Sequence, residues 1–319
     1  MSQEILILGL NPAWQRLFAL DKFTPGGIHR LPKAKEFASG KGINSGRVLQ
    51  LLGGSPLMMH FLGSNFGNRI FDELSACGIQ QAPVWIKEPT RIATTLVNGG
   101  ETTELIEPSP VLSESENQDF FQTINNCWHS VPCVALCGSF PAGFDVKLIN
   151  ALDFAGKSIF VDAIKDIDNW LEKGVELLKI NMKEYSELLS RLGIPQVTSS
   201  PQFWKMTATA VLERLPIKNL VITDEEGPVR AFRLVEKKFQ GMELQPPVIE
   251  VQNDIGAGDS FFAGWIYAHG LGLSFEECLV KATAVAVARC EVDRPWNIHL
   301  NRVQELETLL APAVEKMTD

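Results

Sequence analysis

Short apolar runs and amphipathic stretches alternate along most of this chain. The runs have the length of buried strands, and the stretches between them carry apolar residues at helical spacing. This alternation predicts an α/β fold in which helices cover both faces of a doubly wound, mostly parallel sheet. The predicted strands are residues 5–10, 57–62, 131–136, 158–162, 177–180, 220–223 and 248–251. The predicted helices are residues 43–52, 71–77, 116–128, 146–154, 183–192, 203–215, 259–269, 275–289 and 303–310, so that only helices follow residue 258.

Two early segments do not follow this alternation. Residues 28–37 have the alternating character of a strand. Residues 94–106 predict a β-hairpin that turns at Asn98-Gly99-Gly100. We therefore expect a small β-sheet that lies beside the α/β core.

This small sheet is predicted to be a lid inserted early in one domain that spans residues 1–319. Its segments are residues 12–38 and 88–108, approximately. The sheet could cover an active site, join two copies of the chain, do both, or have neither role. Because its outer face would carry Leu96 and Leu105, we expect a homodimer formed through the lid sheet.

Composition and charge restrict the partners of the protein. The 319 residues include 29 Lys and Arg against 38 Asp and Glu, a formal net charge of −9 that would repel a phosphodiester backbone, so we expect no nucleic acid. No apolar run approaches the roughly 18 residues that a membrane-spanning helix needs. Glu4 stands where a signal peptide would carry a basic residue, and the six cysteines include no Cys-x-x-Cys pair. We expect a cytoplasmic protein without a membrane partner.

The strongest chemical signal is a glycine loop at residues 251–265, where an extended run leads into a helix. Gly256 and Gly258 permit positive φ and a close ligand, and the loop amides and the helix N-terminus would face one point, which suits an anion. Asp259 in the first helical turn would stay ionised and could accept a proton beside a bound phosphate. Asp259 could equally be a helix cap, with the glycines forming a turn.

A second signal lies at residues 38–54, where glycines flank Lys41 ahead of a helix. Lys41 could reach a substrate's phosphate or hydroxyls, and Asn44 can donate and accept at once, as polyol recognition requires. Asn44 could instead cap the helix. Gly42 follows Gly40-Lys41 where a Walker A loop has Ser or Thr, so that nucleotide fingerprint is absent.

A third signal is the sequence Lys-Ile-Asn-Met-Lys-Glu at residues 179–184, at the end of a predicted strand. Asn181 and Glu184 could hold a hydrated Mg²⁺ near phosphates. Asn followed three residues later by Glu is also a capping box, and the sequence leaves both interpretations open.

These three motifs, in this order, resemble the pfkB (ribokinase-like) carbohydrate kinases over essentially the whole chain. The matching forms are Ser-Gly-Lys-Gly-x-Asn at 39–44, Lys-x-Asn-x-x-Glu at 179–184 and Gly-Ala-Gly-Asp-Ser-Phe-x-Ala-Gly at 256–264. Shorter matches are similar to the branch that contains 1-phosphofructokinase, tagatose-6-phosphate kinase and the minor 6-phosphofructokinase. They are residues 11–13, 90–91, 107–108 and 137–141.

The resemblance implies a kinase that uses ATP and Mg²⁺ and transfers the γ-phosphoryl group to a hydroxyl of a phosphorylated ketohexose. The candidate acceptors are fructose 1-phosphate, fructose 6-phosphate and tagatose 6-phosphate. By the same resemblance Asp259 is the base, and Gly256, Ala257 and Gly258 form the anion hole for the transferring phosphoryl group.

Further roles are implied for both ligands. The sugar would be bound at its phosphate by Lys41 and Arg91, with Ser139 nearby, and at its hydroxyls by Asn44 and the Gly40 backbone. The nucleotide would be bound by Asn181, by Glu184 as the Mg²⁺ residue, and on the adenine side by Thr223, Gly227 and Ala286.

Several positions depart from the pattern of the family. Gln15 stands where an acidic residue would bind the sugar hydroxyls, a role an amide can still fill, and Asp254 adds a carboxylate beside the glycine loop. The loop that ends at Gly227 lacks one glycine, and residues 162–165 read Asp-Ala-Ile-Lys rather than Asp-x-Ser-Gly. We favour an active phosphosugar kinase. The alternatives are a catalytically weakened family member that acts as a binding or regulatory protein, and a kinase for an unphosphorylated sugar or a nucleoside.

Overall fold

The fold is described from a computed structural model, which describes residues 4–98, 101–195, 200–225, 227–294 and 296–317. Its strands are β1 (Glu4–Leu8), β2 (Ala13–Leu20), β3 (Lys35–Ser39), β4 (Ser55–Gly63), β5 (Gln80–Ile86), β6 (Ile92–Asn98), β7 (Glu101–Ile106), β8 (Cys133–Cys137), β9 (Ser158–Asp162), β10 (Val175–Asn181), β11 (Ile217–Thr223), β12 (Val229–Val235), β13 (Lys238–Leu244) and β14 (Glu315–Met317). Its helices are α1 (Lys41–Leu52), α2 (Ser64–Ala76), α3 (Glu114–Trp128), α4 (Asp168–Leu171), α5 (Met182–Arg191), α6 (Pro201–Arg214), α7 (Ala257–Gly270), α8 (Phe275–Cys290) and α9 (Leu300–Leu310). Short 3₁₀ helices lie at Val146–Ala151 and Ala311–Ala313.

A ten-stranded sheet forms the centre of the molecule, in the order β14-β13-β12-β11-β10-β9-β8-β1-β4-β5. The strands from β11 to β5 run parallel to their neighbours, and β12, β13 and β14 are antiparallel. The chain turns back at β1, which lies between β8 and β4. At such a switch point the loops after the carboxyl ends of the parallel strands diverge and leave room for a ligand.

Two apolar layers hold helices against this sheet. One face packs against α1, α2, α7, α8 and α9, and the other against α3, α4, α5 and α6. The layers are built around large side chains with almost no exposed surface, such as Trp265 in the first layer and Trp128 and Trp170 in the second. The predicted doubly wound α/β fold is therefore confirmed. In the described part of the chain, no helix has the length and hydropathy needed to cross a membrane.

The predicted small sheet is also present. It has four strands in the order β3-β2-β6-β7, in which β6 and β7 form the predicted antiparallel pair. The turn predicted at its tip includes Gly99 and Gly100, which lie outside the described residues. The segment 28–37 forms a strand only from Lys35 onward, where pairing with β2 begins, and Ile28 is exposed. The outer-face expectation was wrong for Leu96, which is buried, whereas Leu105 is exposed.

Two elements of the core differ from the prediction. Residues 248–251 form no strand: they follow Pro246-Pro247, which have no amide donors, and Val248 and Val251 are exposed. The helix predicted at 146–154 is a 3₁₀ helix that ends at Ala151. It ends there because Leu152 is extended, with φ −83° and ψ 143°, and the Trp128 indole donates to the carbonyl of Asp153 just beyond the end.

Five strands were not predicted: β2, β5, β12, β13 and β14. The last of these contradicts the expectation that only helices follow residue 258. The β12–β13 hairpin turns at Glu236-Lys237, both at positive φ. Neither Asn nor Gly marks that turn, so the usual hairpin signal is absent.

Gly9 and Gly42 bring the loop after β1 and the start of α1 into close backbone contact. A Cβ on Gly42 would lie 2.4 Å from the Cα of Gly9, so the first turn of α1 packs backbone to backbone against the loop after β1. We expect Gly42→Ala to lower the free energy of unfolding by about 3 kcal/mol, the upper end for forced overpacking. Gly272→Ala is the control: Gly272 has positive φ but open space, so about 1–2 kcal/mol is expected. Equal losses in urea denaturation would contradict the packing explanation.

Candidate active site

A cavity of about 310 Å³ opens at the carboxyl ends of the central parallel strands. The loops after β1, β8 and β9 line it, together with the start of α1 and the residues just before β2 and β6. Its charged lining residues are Lys41, Arg91, Lys165 and Glu184, three cations and one carboxylate. The cavity therefore attracts anions although the whole chain carries a net charge of −9.

Arg91 contributes a half-buried guanidinium to this cavity. Its Nη2 donates to the carbonyl of Asn11 at 2.9 Å, and its Nε has no hydrogen-bond partner. Among the described residues, no carboxylate lies within 4.0 Å of it. Burial lowers the pKa of Arg91, which still leaves it charged at neutral pH. Such an unpaired charge is suited to an anionic ligand.

Ser139 and Asn11 lie beside Arg91. The Asn11 side-chain amide donates to Ser139 Oγ at 3.0 Å, so the hydroxyl proton of Ser139 can point elsewhere. Both residues line the cavity, as does Gly40, which has φ 120° and directly precedes α1. The structure thus brings Arg91, Ser139, Gly40 and Lys41 together, as the sequence motifs predict.

Lys41 lines the cavity and belongs to an ion cluster in which Asp162 and Lys179 are buried. Its Nζ lies 2.8 Å from Asp162 Oδ1 and 3.6 Å from Glu184 Oε1, and Lys179 Nζ lies 3.2 Å from Asp162 Oδ2. Burial disfavours the charge of Lys41, but Asp162, Glu184 and Asp259 raise its pKa overall. Burial likewise disfavours the charge of Asp162, but the two ammonium groups hold its pKa below the ordinary value.

Asp259 lies at the start of α7 and is buried. Its Oδ2 accepts a hydrogen bond from Asn44 Nδ2 at 2.8 Å, and Ser45 Oγ donates to its backbone carbonyl. Burial, and then the negative charge of Asp162, raise the pKa of Asp259, although Lys41 and Asn44 favour its ionised form. A carboxylate with a raised pKa is a better proton acceptor than an exposed one.

Backbone amides of the glycine loop lie next to this carboxylate. Gly256 has φ 81° and precedes α7, and the amides of Gly256 and Gly258 have no acceptor among the described residues. The amide of Ala257 differs, because it donates to the carbonyl of Asp254 and is already occupied. A Cβ on Gly258 would lie 2.8 Å from Lys179 Nζ, so an ammonium group borders the loop. This combination of amides and an ammonium can stabilise developing negative charge.

Asn181 and Glu184 form the capping box of α5. Asn181 Oδ1 accepts from the Glu184 amide at 2.8 Å, and Glu184 Oε2 accepts from the Asn181 amide at 2.9 Å. Glu184 nevertheless lines the cavity, and its Oε1 is the oxygen near Lys41. Asn44 and Asp259, the other two proposed caps, make no capping hydrogen bonds for α1 and α7.

Asn44, Asn181, Asp259 and residues 256–258 are not among the residues that line this cavity, and several other predicted residues lie outside it as well. Gln15 is buried in β2, where its amide donates to Thr95 Oγ1 at 2.7 Å. Thr223 pairs in register with Asn181 at the carboxyl end of β11, and Gly227 lies in the loop that follows β11. Ala286 is a residue of α8 that is partly buried against the apolar core. The side chain of Asp254 is exposed. The roles implied for these residues stay predictions.

Two members of the cluster were not assigned a role from the sequence. Lys179 begins the third motif, and Asp162 was noted only as part of a departure from the family pattern. The available signal was position: each lies at or near the end of a buried strand whose neighbours end at the same edge.

Comparison with known proteins shows the family of this chain. The family model described as pfkB family carbohydrate kinase matches residues 13–294. The chain belongs to this family. As a pfkB carbohydrate kinase it is a phosphotransferase with an alcohol acceptor, and kinases of this family use ATP as the phosphoryl donor.

Relatives within the pfkB family match along nearly their whole length. A tagatose-6-phosphate kinase of Staphylococcus epidermidis is 27% identical over 319 residues, which cover 95% of this chain and 97% of that protein. Phosphofructokinase-2 from Escherichia coli, solved with substrates and products, superposes with a TM-score of 0.84 at 22% identity and covers 97% of this chain and 99% of its own. A possible 1-phosphofructokinase from Thermotoga maritima gives a TM-score of 0.81 at 20% identity, with 98% and 99% covered. Both solved structures therefore have the same fold as this chain.

Proposed function

We propose that this pfkB kinase transfers the γ-phosphoryl group of ATP to a hydroxyl of a phosphorylated ketohexose. The candidate acceptors are fructose 1-phosphate, fructose 6-phosphate and tagatose 6-phosphate. The observation that carries the proposal is Arg91, a half-buried guanidinium without a carboxylate partner in a cavity that three cations line. An uncharged sugar would leave that charge unpaired, whereas a sugar phosphate would pair it. The tagatose-6-phosphate kinase relative supports the same class of acceptor.

In this proposal the site has two parts, the cavity itself and the adjoining carboxylate and glycine loop at the start of α7. Arg91 and Lys41, with Ser139 nearby, bind the phosphate that the sugar already carries, and Asn44 and the Gly40 backbone hold its hydroxyls. Asp259 accepts the proton of the attacking hydroxyl, and the free amides of Gly256 and Gly258 stabilise the transferring phosphoryl group. Positioning and charge stabilisation supply most of the acceleration in such a transfer, so no covalent intermediate is needed.

Mg²⁺ fits one part of this site. Glu184 keeps one carboxylate oxygen free of the capping box, and it lies at the cavity. The described residues contain no group of three or more potential ligands from His, Cys, Asp and Glu. Mg²⁺ is commonly held by one or two carboxylates, with substrate phosphates and water completing the shell. Glu184 would hold the ion, which when bound neutralises charge on the nucleotide phosphates.

A coupled assay with five acceptors tests the proposed function. ADP release is followed with the wild-type protein, ATP and Mg²⁺, and the acceptors are the three phosphorylated ketohexoses, fructose and adenosine. We expect turnover with at least one phosphorylated ketohexose. Turnover confined to fructose or adenosine would overturn the phosphate-binding role, and no turnover with any acceptor would favour a binding or regulatory protein.

The pH dependence of kcat tests the role of Asp162. Asp259 acts as a base only when ionised, so kcat falls as the pH falls through its raised pKa. Asp162→Asn removes the charge that raises this pKa and frees two ammonium groups that lower it. We therefore expect the acid limb of the kcat profile to move to lower pH. The control Asp168→Asn changes an exposed carboxylate and should leave the limb in place; an unmoved limb in both variants would remove Asp162 from the electrostatics of the base.

The homodimer predicted from the sequence stays a prediction. Leu105 and Ile106 on β7 are both exposed and could be covered by a second copy of the small sheet. Phosphofructokinase-2 from E. coli has been solved in a form described as tetrameric and inhibited.

A further inference from the structure

Arg289, near the end of α8, is one of the largest side chains that the fold buries completely. Its exposed fraction is 0%, a rare environment for a guanidinium. No carboxylate lies within 4.0 Å of it in the part of the chain that the structure describes. Its partners are carbonyl groups: Nε donates to Ile255 at 3.0 Å and Nη1 to Val292 at 2.8 Å, while Nη2 has no partner. A buried charge is costly, so its place in the fold calls for an explanation.

The carbonyl of Ile255 belongs to the peptide group that precedes Gly256. In a planar trans peptide the carbonyl and the following amide point in opposite directions. A hydrogen bond that fixes the Ile255 carbonyl toward Arg289 therefore fixes the direction of the Gly256 amide away from it. That amide is one of the two without an acceptor beside Asp259.

Other contacts join the same two segments. The amides of Gln252 and Asn253 donate to the carbonyl of Cys290, at 2.8 and 3.4 Å, and Asn253 Nδ2 donates to the carbonyl of Asp293 at 3.0 Å. These contacts hold the start of the loop, whereas Arg289 reaches the residue next to Gly256. Burial lowers the pKa of Arg289 to about 10, which leaves the guanidinium charged at neutral pH.

We propose that Arg289 is a positioning residue for phosphoryl transfer. It aims the Gly256 amide at the transferring phosphoryl group and holds a fixed positive charge behind the glycine loop. The inference rests on the proposed function, in which this loop binds that group. Without the guanidinium, the carbonyls of Ile255 and Val292 lose their donors, and the Gly256 amide loses the hydrogen bond that fixes the direction of its peptide.

Kinetics of Arg289→Ala test this role. We expect kcat to fall by about 10²-fold, the scale of losing one donor from an oxyanion hole, with little change in KM for the sugar phosphate. Guanidinium chloride at millimolar concentration should restore part of kcat, and sodium chloride at the same concentration should not. Arg289→Met preserves the volume if the Ala variant does not fold, and Arg289→Lys should retain more activity than either.

Nucleotide binding gives a readout that needs no sugar. The loop would meet the terminal phosphoryl group, so calorimetry should show that Arg289→Ala loses affinity for a non-hydrolysable ATP analogue by about tenfold more than for ADP, the scale of one charge-dependent hydrogen bond. Arg230→Ala is the control, because Arg230 pairs with Glu243 on the antiparallel part of the sheet. A general loss of stability would instead weaken the binding of both nucleotides to the same extent.

The outcomes separate this inference from the proposed function. A folded Arg289 variant that keeps wild-type kcat, or the wild-type preference between the two nucleotides, overturns the positioning role while the kinase assignment stands. A wild-type protein that turns over no sugar phosphate, but whose preference between nucleotides depends on Arg289, retains the positioning role and rejects the proposed acceptor.

Discussion

Asp259→Asn is expected to lower kcat by about 10²–10⁴-fold, the usual contribution of a positioned general base. The amide keeps the shape of the carboxylate and can still accept from Asn44, but it cannot take the proton of the attacking hydroxyl. ATP binding should change little, because the loop amides and Glu184 are untouched. Steady-state kinetics give kcat, and calorimetry with a non-hydrolysable ATP analogue gives the affinity.

Stability provides a second, opposite signature of Asp259→Asn. An acid whose pKa is raised by folding binds its proton more tightly in the folded state, so its contribution to stability falls as the pH rises through that range. The neutral amide escapes this loss, and we expect an unchanged or higher Tm at pH 8. Asp119→Asn, on the exposed side of α3, should alter neither kcat nor Tm. A kcat near that of the wild type in Asp259→Asn would reject the base.

The helix starts within the three motifs were predicted more reliably than the strands at the edge of the central sheet were. Each motif combines a glycine turn or a helix start with polar residues, and such local geometry depends on neighbours in sequence. The β12–β13 hairpin depends instead on pairing with β11 and on a turn at Glu236-Lys237 that lacks Gly and Asn. Residues 248–251 have the composition of a strand but no partner, so pattern alone predicted a strand there wrongly.

The ion cluster could not be derived from local pattern, because its members are distant in sequence. Lys41 meets Asp162 across 121 positions, and Asn44 meets Asp259 across 215. Asp162 ends the parallel strand β9, whereas Lys41 and Asn44 begin α1 and Asp259 begins α7, so only the packing of these helix starts at the carboxyl edge of the sheet brings them together.

For Glu184, the sequence could not show that a single side chain can take part in both proposed roles. The capping box and the Mg²⁺ role were weighed as alternatives, yet one carboxylate has two oxygens. One oxygen binds the Asn181 amide, and the other lies near Lys41 at the cavity. The observed capping box therefore leaves the proposed metal role open.

Arg91→Ala is expected to raise KM for the sugar phosphate by about 10²-fold while KM for ATP stays within about twofold. The hydrogen bonds between a guanidinium and a phosphate are charge-assisted, and losing about 3 kcal/mol of such binding corresponds to two orders of magnitude. The effect falls mainly on KM because the phosphate already on the sugar lies away from the reacting hydroxyl, so Arg91 stabilises ground state and transition state alike. Initial-rate kinetics with each substrate varied in turn measure both constants.

Two comparisons make the Arg91 result specific. Arg91→Lys keeps the charge but loses the planar pair of donors, so its KM should lie between those of the wild type and the Ala variant. Arg214→Ala removes an exposed arginine at the end of α6 and should leave both KM values unchanged. If Arg91→Ala left KM for the sugar phosphate unchanged, Arg91 would not bind that phosphate. Lys41, already paired with Asp162, and Lys165 would then be the remaining cations of the cavity able to do so.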